Sequence, residues 1–420
     1  MSKPGVRTMK LTIRLLLVFA VLLIEGCFSM PGAAPSQVPM IGEATVALPS
    51  PTATPPSPPA EIRPTTIPSP TPTWEVTPVK GVRGELAVNI QSALSLVSPG
   101  SGSLRSLGVS VYSFTWSSDG QRILYEQGLD LWVMDMETGQ IENLTKTPDR
   151  LDSNASWSPD GQWIAFLRSR TLEPGETIER LVKPLTKRLI LIDNQGINYQ
   201  EVEERPAGSF SWSPDSKRII YTDAEGGLYI FDLIHEQRQP LIPADYGLQD
   251  DLYFSSAAWS PKGDEIALSF STRPRPEDTS IEQGCAILNL KDHSSHVLKR
   301  YSVTLLLPYE GIPPGEALCC GGPGILWDPS GDYILVNVIA LPRTELETGL
   351  FVIDIRGGEE KPLTGVYGAY SADWSPDGRW VAYVDNGDRS LWLINPFNPA
   401  EKYQIMGPFC CEGPVAWRPE

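Results

Sequence analysis

Two pairs of adjacent cysteines are the residues whose types and spacing most directly suggest chemistry in this sequence. Cys319 and Cys320 stand before Gly-Gly-Pro, Cys410 and Cys411 stand before Glu-Gly-Pro, and a tryptophan follows both segments. Adjacent Cα atoms lie about 3.8 Å apart across a trans peptide and about 2.9 Å across a cis one, below the usual disulfide range of roughly 4.4 to 6.8 Å. The four thiols can therefore form strained vicinal disulfides, form cross-bridges between the pairs, or stay free or bind a metal. We favour vicinal pairing, in which each pair makes a small rigid apolar group.

The other nucleophilic and metal-binding side chains are few and scattered. Three histidines are present, His235, His293 and His296, and all three fall in turns that we expect on the face opposite the long loops described below. His293 and His296 have an HxxH spacing beside Asp292, which on a turn is a weak metal signal. Cys285 lies in a predicted strand and is expected to be a buried free thiol. We predict no metal site from these residues.

No motif brings catalytic groups together. The sequence contains no HExxH, no GxSxG and no phosphate-binding glycine loop. Acid/base catalysis by carboxylates such as Asp250, Asp251 and Glu316 stays open as an alternative. We therefore expect no catalytic residues, no cofactor and a protein that is not an enzyme.

The elements that position these residues repeat along the chain. Seven tryptophans recur from Val82 onward, at spacings from 41 residues (Trp116 to Trp157) to 68 residues (Trp259 to Trp327). Stretches such as SWSPDGQWIAF (156–166) join a strand, a tight Pro-Asp-Gly turn and an alternating second strand. Two further short alternating segments follow in each repeat. This period is typical of a four-stranded propeller blade.

The two ends of the repeat region complement each other. GPVAW (413–417) reads as the first strand of a blade, strand a, whereas GELAVNI (84–90) and residues 93–108 read as strands b, c and d. Joining the two ends would complete a seventh blade and remove an exposed sheet edge. We therefore predict an all-β fold, a β-propeller of seven four-stranded antiparallel blades, with a six-bladed ring with loose ends as the alternative.

The WSPDG-type motifs resemble those of the TolB-type, WD40-like propeller family. The resemblance covers residues 82–420 and implies a binding scaffold more often than an enzyme, although some propellers of similar repeat type are polysaccharide lyases or carry a peptidase domain. This sequence departs from TolB itself in lacking its separate N-terminal domain and in having a seventh blade. TolB's partners in the cell envelope are therefore not transferred to it, and fold alone does not settle function.

The N-terminal segment indicates export. Four basic residues precede an apolar run of ten residues, Leu15 to Ile24, which is short for a membrane span. The arrangement resembles a bacterial lipoprotein signal peptide over residues 1–26, with Cys27 as the lipidated N-terminus; an ordinary N-terminal anchor is the alternative. Residues 27–81 are rich in Pro, Thr and Ser and are predicted to be a disordered tether to a propeller at 82–420. We expect a protein of the cell envelope, anchored to the membrane by lipid.

The charge of the chain limits its partners. The formal net charge is −17, and cleavage before Cys27 would leave 30 Lys and Arg against 50 Asp and Glu. An acidic protein is not attracted to phosphate backbones, so we expect no nucleic acid partner. We expect the protein to be a monomer.

The longest connections should emerge on one face of the propeller. The d-to-a and b-to-c connections share that face, and residues 169–188, 271–284 and 301–322 are long examples. Loops on a rigid scaffold commonly carry binding sites, although neutral insertion is the alternative for each of them. The candidate ligand-binding residues are the cysteine pairs and the aromatic residues of the same connections: Cys319, Cys320, Cys410, Cys411, Tyr246, Tyr253, Phe254, Tyr309, Tyr367, Tyr370 and Phe409. Packing between blades is the alternative role for these aromatic side chains.

These observations predict a non-catalytic, membrane-tethered scaffold that binds a protein or peptide on its loop-rich face. A receptor for a glycan or small solute is the alternative, and a carbohydrate-active enzyme is less favoured. A flat complementary surface would favour a protein partner, whereas a pocket lined by Cys and Tyr at the axis would favour a sugar.

Overall fold

The computed structural model describes residues 74–170, 187–203, 205–241, 243–248, 252–272, 280–304, 324–338, 349–365 and 368–420. Within these ranges the chain forms 28 strands and one short 3-10 helix, Pro243–Tyr246. The strands assemble into seven separate four-stranded sheets. The described residues form no helix with the length and apolar character needed to span a membrane.

The strands are numbered along the chain. In chain order they are β1 (Leu86–Ile90), β2 (Ala93–Ser98), β3 (Ser103–Ser110), β4 (Phe114–Trp116), β5 (Arg122–Gln127), β6 (Asp130–Asp135), β7 (Ile141–Asn143), β8 (Arg150–Trp157), β9 (Trp163–Arg170), β10 (Arg188–Asp193), β11 (Tyr199–Glu203), β12 (Pro206–Trp212), β13 (Arg218–Asp223), β14 (Leu228–Asp232), β15 (Gln237–Pro240), β16 (Leu252–Trp259), β17 (Glu265–Thr272), β18 (Ser280–Asn289), β19 (Ser294–Thr304), β20 (Leu326–Trp327), β21 (Tyr333–Val338), β22 (Gly349–Asp354), β23 (Glu360–Pro362), β24 (Ala369–Trp374), β25 (Val381–Asp385), β26 (Leu391–Ile394), β27 (Lys402–Met406) and β28 (Cys411–Trp417).

Each sheet is one blade with strands a, b, c and d in order. Blade 1 is β4 to β7, blade 2 is β8 to β11, blade 3 is β12 to β15, blade 4 is β16 to β19, blade 5 is β20 to β23 and blade 6 is β24 to β27. Blade 7 combines β28 from the C-terminal region with β1, β2 and β3 from the N-terminal region. The prediction of seven four-stranded antiparallel blades is confirmed.

The WSPDG turn is held by its own side chains. In blade 1 the Ser117 hydroxyl donates to Asp119 at 2.6 Å and accepts the backbone N–H of Arg122 at 2.9 Å. Gly120 adopts a φ of +63°, a conformation that glycine reaches without the steric cost of a side chain. Blade 5 has Asp328 in place of the serine, and its carboxylate accepts the backbone N–H of Tyr333 at 2.8 Å. The turn thus fixes the register between strands a and b whether a serine or an aspartate follows the tryptophan.

The hydrophobic core is divided into seven clusters, each shared by two neighbouring blades. Apolar residues on both faces of each sheet therefore pack against the preceding and the following blade. The seven tryptophans that identified the repeats lie in these seams, and Trp417 belongs to the cluster between blades 6 and 7. The clusters run continuously around the ring, including the two that flank blade 7.

Closure of the ring depends on strand β28. It pairs antiparallel with β1, with Trp417 opposite Leu86. The Arg418 side chain then pairs with Glu85 at 2.9 Å and donates to the backbone oxygen of Gly120 at 2.8 Å, and its guanidinium lies 5.2 Å from the ring centre of Trp116. The C-terminal residues therefore connect blade 7 to blade 1 by polar contacts as well as by packing.

The compact unit begins before the expected start at Val82. Trp74 to Glu420 form one compact unit. Thr77 donates its N–H to the carbonyl of Ile405 in β27, and Val79 donates to Pro99. The last residues of the predicted tether are therefore part of the propeller, because they cover the outer edge of the seam between blades 6 and 7.

Candidate functional site

Five of the twelve positions predicted to bind ligand or to carry lipid lie outside the residues that the structure describes. They are Cys27, Cys319, Cys320, Tyr309 and Tyr367. The carboxylates Asp250, Asp251 and Glu316 also fall outside the described ranges. Their roles stay predictions.

Three of the aromatic candidates are buried between blades 3 and 4. Tyr246 stacks on the His293 ring with 5.1 Å between centroids, and Tyr253 and Phe254 are part of β16. A Cβ placed on Gly226, which has a φ of +78°, would lie 2.3 Å from the Tyr253 ring. These rings fill the seam and offer no exposed face for stacking, in contrast to the expectation from the sequence. Packing between blades, the alternative role, accounts for all three.

Tyr370 and Phe409 have different surroundings. Tyr370 is partly buried at the start of β24, and the Arg389 guanidinium lies 3.8 Å from its ring centre. Phe409 lies in the connection from blade 6 to blade 7 with a φ of +59°, and its backbone N–H donates to the Asp388 carbonyl at 2.7 Å. Its side chain is 70% exposed. Phe409 is thus the one described candidate that presents most of its ring to solvent.

The described cysteine pair is buried. Cys410 and Cys411 have no exposed surface and belong to the cluster between blades 6 and 7. Their sulfur atoms are 2.7 Å apart and are not joined as a disulfide, and Cys285 is likewise buried and not part of a disulfide. An exposed apolar group at this position, as expected from the sequence, is therefore not present in the structure.

Four exposed apolar side chains lie on the loop-rich face in three consecutive blades. Phe409 starts blade 7, Tyr112 connects β3 to β4 at the start of blade 1, Leu129 lies in the b-to-c turn of blade 1, and Leu151 starts blade 2. Tyr112 is 69% exposed, and the two leucines are 37% and 38% exposed. We call these four residues the apolar sector.

Backbone hydrogen bonds connect the segments that carry three of these residues, Tyr112, Leu129 and Leu151. Tyr112 donates its N–H to the carbonyl of Glu126 at 3.0 Å, and Asp152 donates to the carbonyl of Leu129 at 2.9 Å. Leu129 therefore lies next to the residue that follows Leu151. The sector is held by the inner strands of blades 1 and 2 and does not depend on a long loop.

Charged groups beneath the sector join blade 1 to blade 2. The Glu126 carboxylate accepts the N–H of Asn154 at 2.7 Å, and burial raises the pKa of this group to about 7. Arg168 donates two hydrogen bonds to Asp152, at 2.7 and 2.8 Å, and Thr147 donates to the same carboxylate at 3.2 Å. Such paired and buried groups keep a surface rigid, because each has a fixed partner.

The other exposed large apolar side chains among the described residues lie away from the loop-rich face. They lie on c-to-d turns and outer strands of blades 1, 2, 3, 6 and 7: Leu104, Ile141, Ile197, Tyr199, Ile234, Phe397 and Tyr403. Single exposed apolar residues on a surface are normal and need no functional explanation. The sequence pattern missed Tyr112, Leu129 and Leu151, because the first two lie in short connections and Leu151 lies in strand β8, whereas the prediction rested on long connections.

The histidines form no metal centre with one another. His235 and Asp232 are 3.1 Å apart on an exposed c-to-d turn, His293 stacks on Tyr246, and His296 is in β19. Over the described part of the chain, no group of three His, Cys, Asp or Glu side chains could hold a metal ion. The HxxH spacing thus has no third ligand among the described residues.

The fold and this surface define a closed seven-bladed β-propeller with an apolar sector on its loop-rich face. Residues 125–226 match the family model described as the N-terminal region of dipeptidyl peptidase IV. The chain is 25% identical over 172 residues to an uncharacterized protein of Agrobacterium fabrum, Atu1656, covering 37% of this chain. It spans about half, 53%, of the length of that relative.

Solved structures agree on the architecture. The chain is similar to an oligogalacturonate lyase solved in complex with manganese, with a TM-score of 0.52 and 10% identity over 72% of this chain and 81% of that chain. A TolB-like protein from Agrobacterium tumefaciens has a TM-score of 0.42 and 18% identity over 72% of this chain and 99% of that chain. At 10% identity the similarity to the lyase shows the fold alone.

Proposed function

We propose that this protein is a non-catalytic propeller scaffold, tethered to a membrane outside the cytoplasm, that binds a protein or peptide through the apolar sector. The observation that carries this proposal is the grouping of Phe409, Tyr112, Leu129 and Leu151 on one face of three consecutive blades. Aromatic side chains near the centre of a protein interface commonly supply most of the binding free energy. Tyr112 and Phe409, which are the most exposed members, are the expected centres.

A protein fits this surface better than a sugar. Sugars stack on open aromatic faces within a concave site, but Tyr246, Tyr253 and Phe254 are packed inside a seam. The apolar sector instead combines two aromatic and two aliphatic side chains over rigid backbone. We infer that the partner presents an apolar segment, and the net charge of −17 favours a partner that is neutral or basic.

The absence of catalysis is part of the same proposal. The similarity to an oligogalacturonate lyase is a similarity of fold, and the described histidines lie at c-to-d turns or in an outer strand. General acid/base catalysis needs groups that converge on a substrate. The polar groups beneath the apolar sector are already engaged with one another, as Arg168 is with Asp152.

Tethering is tested separately from binding. We propose that residues 1–26 are a lipoprotein signal peptide and that Cys27 carries the lipid, in a compartment that also permits a disulfide. Cys27→Ala should abolish incorporation of a labelled fatty acid and release the protein from the membrane fraction. Cys285→Ser serves as the matched control and should leave both properties unchanged. Membrane association of Cys27→Ala equal to that of the natural chain would refute lipid tethering.

The binding proposal is tested by photo-crosslinking in intact cells. A photoreactive phenylalanine analogue is placed at position 112 or at position 409, and in a control chain at Phe397 on a c-to-d turn. Because Tyr112 and Phe409 belong to one surface, both should capture the same protein, identified by mass spectrometry, and Phe397 should not. No adduct at positions 112 and 409, or the same adduct at 397, would refute binding through the apolar sector.

A further inference from the structure

Cys410 and Cys411 lie together where the chain enters blade 7, and we propose that they form a redox-reversible vicinal disulfide. Two features of the structure support this site: the placement of both sulfur atoms on the same side of the chain, and their apolar surroundings. The inference is independent of the proposed binding function, because it concerns two thiols in the core of the propeller.

The geometry needs little change for a bond to form. The two sulfur atoms are 2.7 Å apart. A disulfide has a length of about 2.0 Å, so the sulfur atoms need to approach by only about 0.7 Å. Neighbouring cysteines in an extended strand normally point to opposite faces. Here the residue before the pair, Phe409, has a φ of +59°, and both thiols nevertheless reach the same seam.

The surroundings suit the oxidised state. The pair is packed with apolar side chains of blades 6 and 7, including Leu391, Met406 and Val415. The carbonyl of Arg389 accepts the Cys410 thiol at 3.4 Å and the backbone N–H of Cys411 at 3.3 Å. Oxidation would remove the thiol donor and keep the N–H donor. The carbonyl would thus stay hydrogen-bonded, and two weakly polar S–H groups would leave an apolar core.

The two thiols are chemically different. A hydrogen bond from Cys411 lowers the pKa of the Cys410 thiol, and the same bond raises the pKa of Cys411. The thiolate is the nucleophile in disulfide exchange, so Cys410 is the residue that attacks. Because both side chains are fully buried, exchange requires a local opening of the connection from blade 6 to blade 7.

The reaction is an exchange with an external disulfide, either a small molecule or a thiol–disulfide oxidoreductase. The Cys410 thiolate attacks one sulfur of the external disulfide. A mixed disulfide forms between Cys410 and that sulfur, and the other external sulfur leaves as the first thiol. Cys411 then attacks the Cys410 sulfur and releases the second external thiol. The pair loses two electrons and two protons, and the external disulfide takes up both. Reversal by an external dithiol restores Cys410 and Cys411.

The experiment measures the redox state of the pair in the full-length protein. The protein is equilibrated with glutathione disulfide or with reduced glutathione, unfolded in excess N-ethylmaleimide and digested with trypsin. The fragment 403–420 contains Cys410 and Cys411 and no other cysteine. After oxidation it should carry no alkyl group and be lighter by two hydrogen atoms than the dithiol. After reduction it should carry two alkyl groups.

Single substitutions separate the outcomes. Cys410→Ser and Cys411→Ser should each leave one thiol that is alkylated or joined to glutathione, whereas Cys285→Ser should preserve the internal bond in fragment 403–420. Two alkyl groups on this fragment after oxidation would overturn the proposal. A bond from this fragment to a fragment that holds Cys285 or the Cys319–Cys320 pair would overturn it equally, because it would make the pair an inter-blade cross-link.

Discussion

Removal of residues 413–420 should strongly destabilise the propeller. The deletion takes away most of β28, including Val415 and Trp417, which are both buried in the seam between blades 6 and 7. It also removes Arg418 and its contacts with Glu85 and Gly120. β1 would become an exposed edge on the inner side of blade 7, and the ring would be open.

The magnitude follows from the two buried side chains. Truncating a buried tryptophan costs about 3–5 kcal/mol, and exposing a buried valine costs about 1.5–3 kcal/mol. Their loss, about 5–8 kcal/mol, is comparable to the whole unfolding free energy of a typical domain. At about 2 °C per kcal/mol for a large domain, we expect the melting temperature to fall by about 10 °C or more.

The assay is thermal unfolding followed by circular dichroism, with two comparisons. Deletion of Pro419 and Glu420 alone leaves β28 and Arg418 in place and should change the melting temperature little. A synthetic peptide of residues 409–420 added to the longer deletion should restore part of the lost stability, because it can pair with β1. An unchanged melting curve after deletion of 413–420 would refute closure by this strand.

Two further predictions concern the seams. In urea unfolding, Gly226→Ala should destabilise the protein by about 2–5 kcal/mol, because its Cβ would lie 2.3 Å from the Tyr253 ring and the backbone has a φ of +78°. The control Gly247→Ala has a φ of +79° and open space around the Cβ, so it should cost only about 1 kcal/mol. Equal losses of stability in the two variants would contradict the packing of Tyr253. The Asp373 carboxylate accepts the backbone N–H of Trp417 at 2.7 Å. Burial raises the pKa of Asp373 to about 7. The folded state then holds a proton that the unfolded state releases between about pH 4 and 7, so stability should fall as the pH rises through this window. Because the raised pKa of Glu126 gives a decline in the same window, Asp373→Asn should remove about half of the decline, and the exposed control Glu412→Gln should leave it unchanged; an equally steep decline in Asp373→Asn would show that Asp373 does not contribute.

The blade pattern could be read from the sequence because its signals are local. Each WSPDG-type turn fixes its own strand pair, as Ser117 does in blade 1. Completion of blade 7 was predictable for the same reason, since β28 and β1 carry the strand patterns of a and b. Glu85, however, gives no sign by itself that Arg418 will cover Trp116, because that contact depends on closure.

The candidate site was predicted less well because exposure is set by the neighbouring blade. Tyr253 is buried since Gly226 of blade 3 allows its ring to approach, and Tyr246 is buried against His293 of blade 4. A sequence pattern places such residues in connections but does not show which way they pack. Tyr112 was missed for the converse reason, because its connection is short and the ring still faces solvent.

The most direct test of the binding account is the affinity of the protein captured by crosslinking for two matched variants. One variant replaces the apolar sector (Tyr112, Leu129, Leu151 and Phe409) with serine, and the control replaces four exposed apolar residues away from the loop-rich face (Ile141, Ile197, Ile234 and Phe397) with serine. Loss of two aromatic centres at about 2 kcal/mol each predicts an affinity at least about 100-fold weaker for the first variant. The control should bind as the natural chain does. Equal affinity of both variants, measured by calorimetry on chains with unchanged melting temperatures, would contradict the account.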